Sequence, residues 1–241
     1  TFIYCDAAQP WQVAFQDSAS PTRDGIAYLH DYCRFYLVVL AVLVSWRLAS
    51  SLLRFANTQI SHKYLNHGTL IEVIWTVTPA LILIAIAFPS FRRLFLIDEV
   101  VTPSLTIKAE GQQWFWTYER SDVLDADGEA VSFDSYRVPE EDLQEGQLRL
   151  LEVDNPVRIP VDTHVRFVVT ARDVRHDFAV PSLGLKIDGV PGRLSQVSTL
   201  VERPGRFYGQ CSELCGVYHG FRPIVIQAVS LEDYRNWLDS L

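Results

Sequence analysis

From Val73 to Phe91 the chain reads VIWTVTPALILIAIAFPSF, nineteen residues without a charged side chain. That approaches the ~20 residues needed to cross a bilayer as a helix. A run of the same length from Phe35 to Leu53 is interrupted by Arg47. An arginine near a helix centre costs ~2.5–3.5 kcal/mol on insertion scales, but Arg47 lies toward one end, where it can snorkel. Both runs are read as membrane spans; a buried core helix is the alternative, and length and the lack of polar periodicity disfavour it. After Leu96 the pattern changes to short alternating segments: Leu105, Ile107 and Ala109; Trp114, Trp116 and Tyr118; Val165, Phe167 and Val169; then Ile224 and Ile226. Period-two alternation predicts strands, and strands in this number predict an all-β sandwich. The acidic stretch Ser121 to Ala130 reads as a hairpin loop, and Ser230 with Asp233 opens a short final helix through Tyr234 and Trp237. The expected organisation is an N-terminal outer segment (1–26), two transmembrane helices with an inner loop (27–96) and a β domain (97–241).

Charge adds an orientation. Two spans return both ends to one side. The loop from Arg54 to Gly68 carries Arg54 and Lys63 with no acid, whereas residues 1–26 set Asp6, Asp17 and Asp24 against Arg23. Positive charge stays inside, so the loop faces the cytoplasm or matrix and both termini face outward. The N-terminal stretch lacks the apolar core and small-residue cleavage site of a secretory signal. A net charge of −8 excludes the basic surface that nucleic acid requires. From Phe95 onward, 24 acids outnumber 14 bases, so the outer domain carries −10.

The chemistry lies in one run. Of four cysteines, Cys5 and Cys33 stand apart, while Cys211-Ser-Glu-Leu-Cys215-Gly-Val-Tyr-His219 places two thiols and an imidazole on one glycine-containing turn. Soft thiolates with imidazole suit copper or zinc. His176, in Asp173-Val-Arg-His-Asp-Phe, follows a strand and can close the site from a neighbouring one. On spacing alone, a structural zinc site or unpaired core thiols compete with a copper site.

The longer context is specific. The segments HDFAVPSLGLKIDGVPGRL from His176, RFYGQCSELCGVYHGFRPIV from Arg206 and GQQWFWTYE from Gly111 closely resemble cytochrome c oxidase subunit II, as does the two-span layout. The resemblance implies a two-helix transmembrane hairpin followed by an all-β cupredoxin-like Greek-key sandwich holding two copper ions as a dinuclear mixed-valence centre. Cys211 and Cys215 would bridge both coppers, and His176 and His219 would bind one each. Glu213 would give its carbonyl to the centre and its carboxylate to a magnesium ion shared with the haem-bearing catalytic subunit. Trp114 would take electrons from cytochrome c, with Glu119, Asp134, Asp154 and Asp173 around the docking surface. Glu72, at the inner end of the second span, would mark the mouth of a proton path. The plainer readings are an ordinary strand aromatic, a solvated acidic face and a helix-end charge. The implied function is electron acceptance from cytochrome c for oxygen reduction and proton pumping elsewhere in the complex, with other oxidase subunits and membrane lipid as partners. The implied location is the mitochondrial inner membrane, with both termini and the β domain in the intermembrane space; a bacterial plasma membrane is second. The quinol-oxidase branch of the fold predicts no copper ligands, and Cys211, Cys215, His176 and His219 argue against it. A membrane-anchored structural zinc or copper-delivery module remains the alternative. Delivery sites are exposed, whereas Trp114 and the Pro-Ser-Leu-Gly-Leu segment look buried.

One position departs from the pattern. The resemblance implies a methionine thioether at position 222, but the residue is Arg222, which cannot coordinate a metal while protonated. The chain has no methionine and 18 arginines against three lysines. The expectation is that Arg222, and with it Arg34, Arg47 and Arg54 around the first span, stand where the working protein has methionine, through a misread codon or an edited transcript.

Overall fold

The computed structural model describes residues 4–56, 63–64, 66–99, 102–124 and 128–240. Part of the inner loop, the tip of the acidic loop and the side chain of Cys5 lie outside the described residues. The chain forms two compact units, one of Ile26–Phe95 and one of Thr1–Gly25 with Leu96–Leu241.

The first unit is helical. Helix α1 (Pro21–Phe55) and helix α2 (Thr69–Asp98) are long and apolar enough to span a membrane, and their most apolar stretches bury nothing within the chain. Leu37, Leu43, Leu81 and Leu83 are exposed along them, a cost that lipid or partner helices remove. Both helices outrun the predicted spans. Helix α1 starts at Pro21, inside the stretch read as a separate outer segment. Ser20 caps it by accepting the Arg23 N–H at 3.1 Å, and proline is tolerated in the first turn. Arg47 does not break it, and Arg34 pairs with Asp31 at 3.1 Å.

The second unit is a two-sheet sandwich. One sheet has the order β4 (Ala130–Ser135), β3 (Phe115–Leu124), β2 (Leu105–Gln112), β6 (His164–Ala171), β9 (Ser195–Leu200). The other runs β5 (Val157–Pro160), β11 (Pro223–Val229), β10 (Gly205–Cys211), β7 (His176–Val180), β8 (Leu185–Gly189). Ile107, Trp116, Phe167, Phe178, Phe207 and Ile224 are fully buried between them. The short strand β1 (Tyr4–Asp6) pairs with Gly205–Phe207 of β10, while β7 takes Gln210 and Cys211. Asp6 seals that addition through Arg203 at 2.7 Å.

Three details differ from the sequence reading. Ser121–Leu124 continue β3, so the acidic loop is shorter than expected. Trp114 sits in the turn between β2 and β3, and is half-buried. His176 starts a strand, β7, in which every residue is buried; the alternation that reveals half-buried strands is therefore absent. The final helix α3 (Leu231–Leu238) forms where expected, with the Ser230 hydroxyl accepting the Asp233 N–H at 3.1 Å.

Candidate metal centre

Strand pairing assembles the site. Cys211 ends β10, and its N–H donates to the Arg222 carbonyl at 3.0 Å, closing the base of the loop that leads into β11. Cys211 lies opposite Phe178 of β7, so His176, two residues along, shares its face of the sheet. The Ser212 N–H donates to the Asp177 carbonyl at 3.3 Å, tying the loop to β7. Gly216 at φ +129° makes the bend that returns His219 toward the thiols, and a Cβ there would meet the Trp114 ring at 3.2 Å.

The donors form a short chain. His176 Nδ1 lies 3.9 Å from Cys211 Sγ, Cys211 Sγ lies 3.9 Å from Cys215 Sγ, and Cys215 Sγ lies 3.7 Å from His219 Nδ1. The Glu213 carbonyl is 3.4 Å from Cys211 Sγ. Metal bonds of ~2.3 Å to sulfur and ~2.0 Å to nitrogen place two ligands of one tetrahedral ion roughly 3.5–3.8 Å apart, so these residues fit a thiolate–imidazole metal site. His176 and the two cysteines are buried, and their donor atoms all lie within 4.8 Å of one another. Burial opposes ionisation of both thiols. At Cys211, the bond to His176 and the charge of Arg222 outweigh it and bring the thiol down to about 6. At Cys215, burial and the neighbouring Cys211 push the thiol up to about 11. A bound metal ion would deprotonate both.

The support around these donors was not legible beforehand. Asp173, read as a docking carboxylate, lies against the site: its Oδ1 is 2.8 Å from His176 Nε2 and its Oδ2 accepts the Gln113 N–H at 2.7 Å. That carboxylate–imidazole pair leaves Nδ1 turned to the sulfurs, the usual outer support of a metal-bound histidine. Burial would raise the Asp173 carboxyl, but bonds from His176, Val174 N–H and Gln113 N–H hold it below the ordinary carboxylate value. The Gln113 side chain donates to the Cys215 carbonyl at 2.8 Å. Arg222 is buried with its guanidinium 3.8 Å over the Trp116 ring and Nη1 3.6 Å from Cys211 Sγ. It meets the site as a hydrogen-bond donor to sulfur, where the resemblance implies a ligand.

The remaining expected residues fall into separate places. Trp114 packs edge-on against Tyr218 at 4.9 Å and lines a surface hollow with Phe115, Tyr136, Arg137 and Phe221. Tyr136 stacks on Phe115 and joins two of the acids, donating its N–H to Asp154 at 2.8 Å and its hydroxyl to Asp134 at 3.4 Å. Glu119 pairs with Lys108 at 3.0 Å on the same sheet. Glu213, half-buried as a residue, belongs to the metal loop. Glu72, in the helical unit, accepts the Gly68 N–H at 3.1 Å and so closes the first turn of α2.

Comparisons with known proteins follow this geometry. Residues 105–229 match the cytochrome c oxidase subunit II periplasmic domain, and residues 8–93 match the subunit II transmembrane domain. Cytochrome c oxidase subunit 2 of Mycosarcoma maydis is 63% identical over 242 residues, covering 100% of this chain and 95% of the relative. That of Saccharomyces cerevisiae is 56% identical over 239 residues, covering 99% and 95%. The crystal structure of the periplasmic domain of subunit II of the cytochrome oxidase of Bradyrhizobium japonicum is 43% identical, with a TM-score of 0.53 over 59% of this chain and 96% of that one. With both of its parts matched and relatives aligned along its full length, the chain belongs to the cytochrome c oxidase subunit II family.

Proposed function

We propose that this chain is the electron-accepting subunit of a cytochrome c oxidase, taking electrons from reduced cytochrome c and passing them to haem in a catalytic subunit that reduces oxygen and pumps protons. The observation that carries the reading is the order of the donors: two thiols in the middle, 3.9 Å apart, with an imidazole at each end. Cys211, Cys215, His176 and His219 would together hold a copper centre as its thiolate and imidazole ligands, with the Glu213 carbonyl as a further, weak donor. When bound, the copper pair supplies a one-electron acceptor whose charge is spread over both ions. The chain's part is to hold the donors still. Asp173 fixes the His176 ring, Gln113 fixes the Cys215 carbonyl, and burial of His176, Cys211 and Cys215 excludes water. That burial also speaks against a delivery module, which must release its metal to a partner.

Trp114 is where electrons enter in this reading, since it borders both the surface hollow and Gly216 of the metal loop. Asp134 and Asp154 adjoin the same hollow through Tyr136, Asp173 adjoins it through Gln113, and Glu119 lies farther along β3; with a domain charge of −10 they steer a basic carrier. The Glu213 carboxylate is proposed to hold magnesium with the catalytic subunit, and Glu72 to stand at a proton path. The proposed location is the mitochondrial inner membrane, with the β domain in the intermembrane space.

In the assembled oxidase, the rate of cytochrome c oxidation at low carrier concentration is expected to fall as salt shortens the reach of this charge to ~8 Å at physiological strength. Trp114→Ala is expected to slow electron transfer in the bound complex at least ~tenfold, ~1.4 kcal/mol of barrier, with a smaller change in affinity. Stopped-flow mixing with reduced cytochrome c separates the two quantities. A variant that loses binding but keeps the bound-state rate assigns Trp114 to docking instead.

A further inference from the structure

The hollow beside Trp114 has exposed aromatic rings, with Tyr136, Tyr218 and Phe221 all more than two-fifths open to solvent. Rings gathered in water at one place mark a surface that a partner covers. The described lining of the hollow contains no carboxylate, and its one charged side chain is Arg137. That guanidinium lies 5.7 Å from the centre of the Phe221 ring, and its Nη1 donates to the Val138 carbonyl at 3.2 Å. No carboxylate of the described residues pairs with it. The backbone of Arg137 bridges to Val153, which fixes where the charge stands. The acids Asp134 and Asp154 stay outside the lining, held at its border by Tyr136.

We infer that Arg137 is a specificity-determining residue of the docking surface: it keeps the lysines of a basic carrier out of the hollow, so that an uncharged patch of the carrier covers Trp114 and the lysines go to the acids at the border. The inference rests on the docking reading proposed above. A domain charge of −10 attracts a basic carrier in many orientations, and attraction alone does not choose among them. A like charge set inside the hollow does choose, because each orientation that puts a lysine there is penalised while an uncharged patch is not. The repulsion lowers affinity and raises the share of carriers bound with their redox group near Trp114. Arginine suits the role because it stays charged at any working pH.

The test uses the whole oxidase carrying Arg137→Gln, Arg137→Glu or Arg137→Lys, mixed by stopped flow with increasing reduced cytochrome c. The half-saturating concentration reads affinity, and the plateau reads the rate within the bound complex. Arg137→Gln is expected to bind about two- to fivefold more tightly, the range of one exposed charge pair. Its plateau rate is expected to fall at least about twofold as misoriented complexes accumulate. Arg137→Glu is expected to move both quantities further the same way, and Arg137→Lys to stay near the parent in both. Weaker binding in the glutamine and glutamate variants overturns the inference, since Arg137 then attracts the carrier. Tighter binding with an unchanged plateau overturns it too, since the charge then weakens docking without orienting it. The double variant Asp134→Asn with Asp154→Asn keeps the carbonyl oxygens that accept hydrogen bonds and removes the border charge. It is expected to bind more weakly; unchanged affinity there refutes the docking reading itself, whatever the Arg137 variants do.

Discussion

Cys215→Ser is expected to leave the purified oxidase without its subunit II copper and without cytochrome c oxidation above background. Cys215 touches both neighbours in the donor chain, lying 3.9 Å from the Cys211 sulfur and 3.7 Å from His219 Nδ1, and is 3% exposed. Serine keeps the shape but replaces a soft, ionisable sulfur with a hydroxyl that stays protonated at neutral pH. Losing an outer partner of a metal site costs ~10–100-fold in affinity; losing a central thiolate donor is expected to exceed that and to release the bound metal. Copper per haem by atomic emission, measured beside the oxidation rate, checks it. A variant that keeps its full copper complement would show that Cys215 is a core thiol.

Gly209→Ala is expected to do comparable damage without altering any ligand. Gly209 lies in β10 beside the Gln210 and Cys211 positions that pair with β7, and a Cβ there would stand 2.0 Å from the Ala179 carbonyl oxygen and 2.9 Å from its carbon. Both are backbone atoms with no rotamer to escape into, so the strands must separate. One of those strands carries His176 and the other Cys211. The cost is expected to exceed ~4 kcal/mol, the range of mutations that break a core, with subunit yield and copper content falling together. Gly220→Ala is the control: it lies in the same metal loop, but a Cβ there meets nothing within 4 Å. Thermal unfolding of both variants decides the matter, and equal stability would show that β7 and β10 tolerate a wider spacing.

These variants mark where sequence reading stops. Strands β2 and β6 were legible because each buries one face, so Leu105, Ile107 and Ala109, or Val165, Phe167 and Val169, alternate with polar neighbours. In β7 and the first half of β11 both faces are buried and the alternation disappears. The Cys211 to His219 run was legible because its ligands are local. His176 could be offered from its place after a strand, but only the resemblance singled it out, since nothing in residue spacing tells which strand will lie beside β10. What positions the ligands left less trace still. The Phe115 carbonyl under Arg222, the Asp177 carbonyl on the Ser212 N–H and the space at Gly209 involve backbone atoms that every residue possesses. The contact of Asp173 with His176 was hidden because Asp173 is one of 29 acids and nothing in its spacing singles it out, and β1 is too short to show a period.

The most direct test of the account is the electron paramagnetic resonance spectrum of the purified full-length protein after copper loading, taken with a copper count. Two coppers per chain, with hyperfine splitting from one unpaired electron shared by two equivalent nuclei, is the predicted result. A single copper with splitting from one nucleus, or a silent spectrum with one zinc per chain, would contradict it.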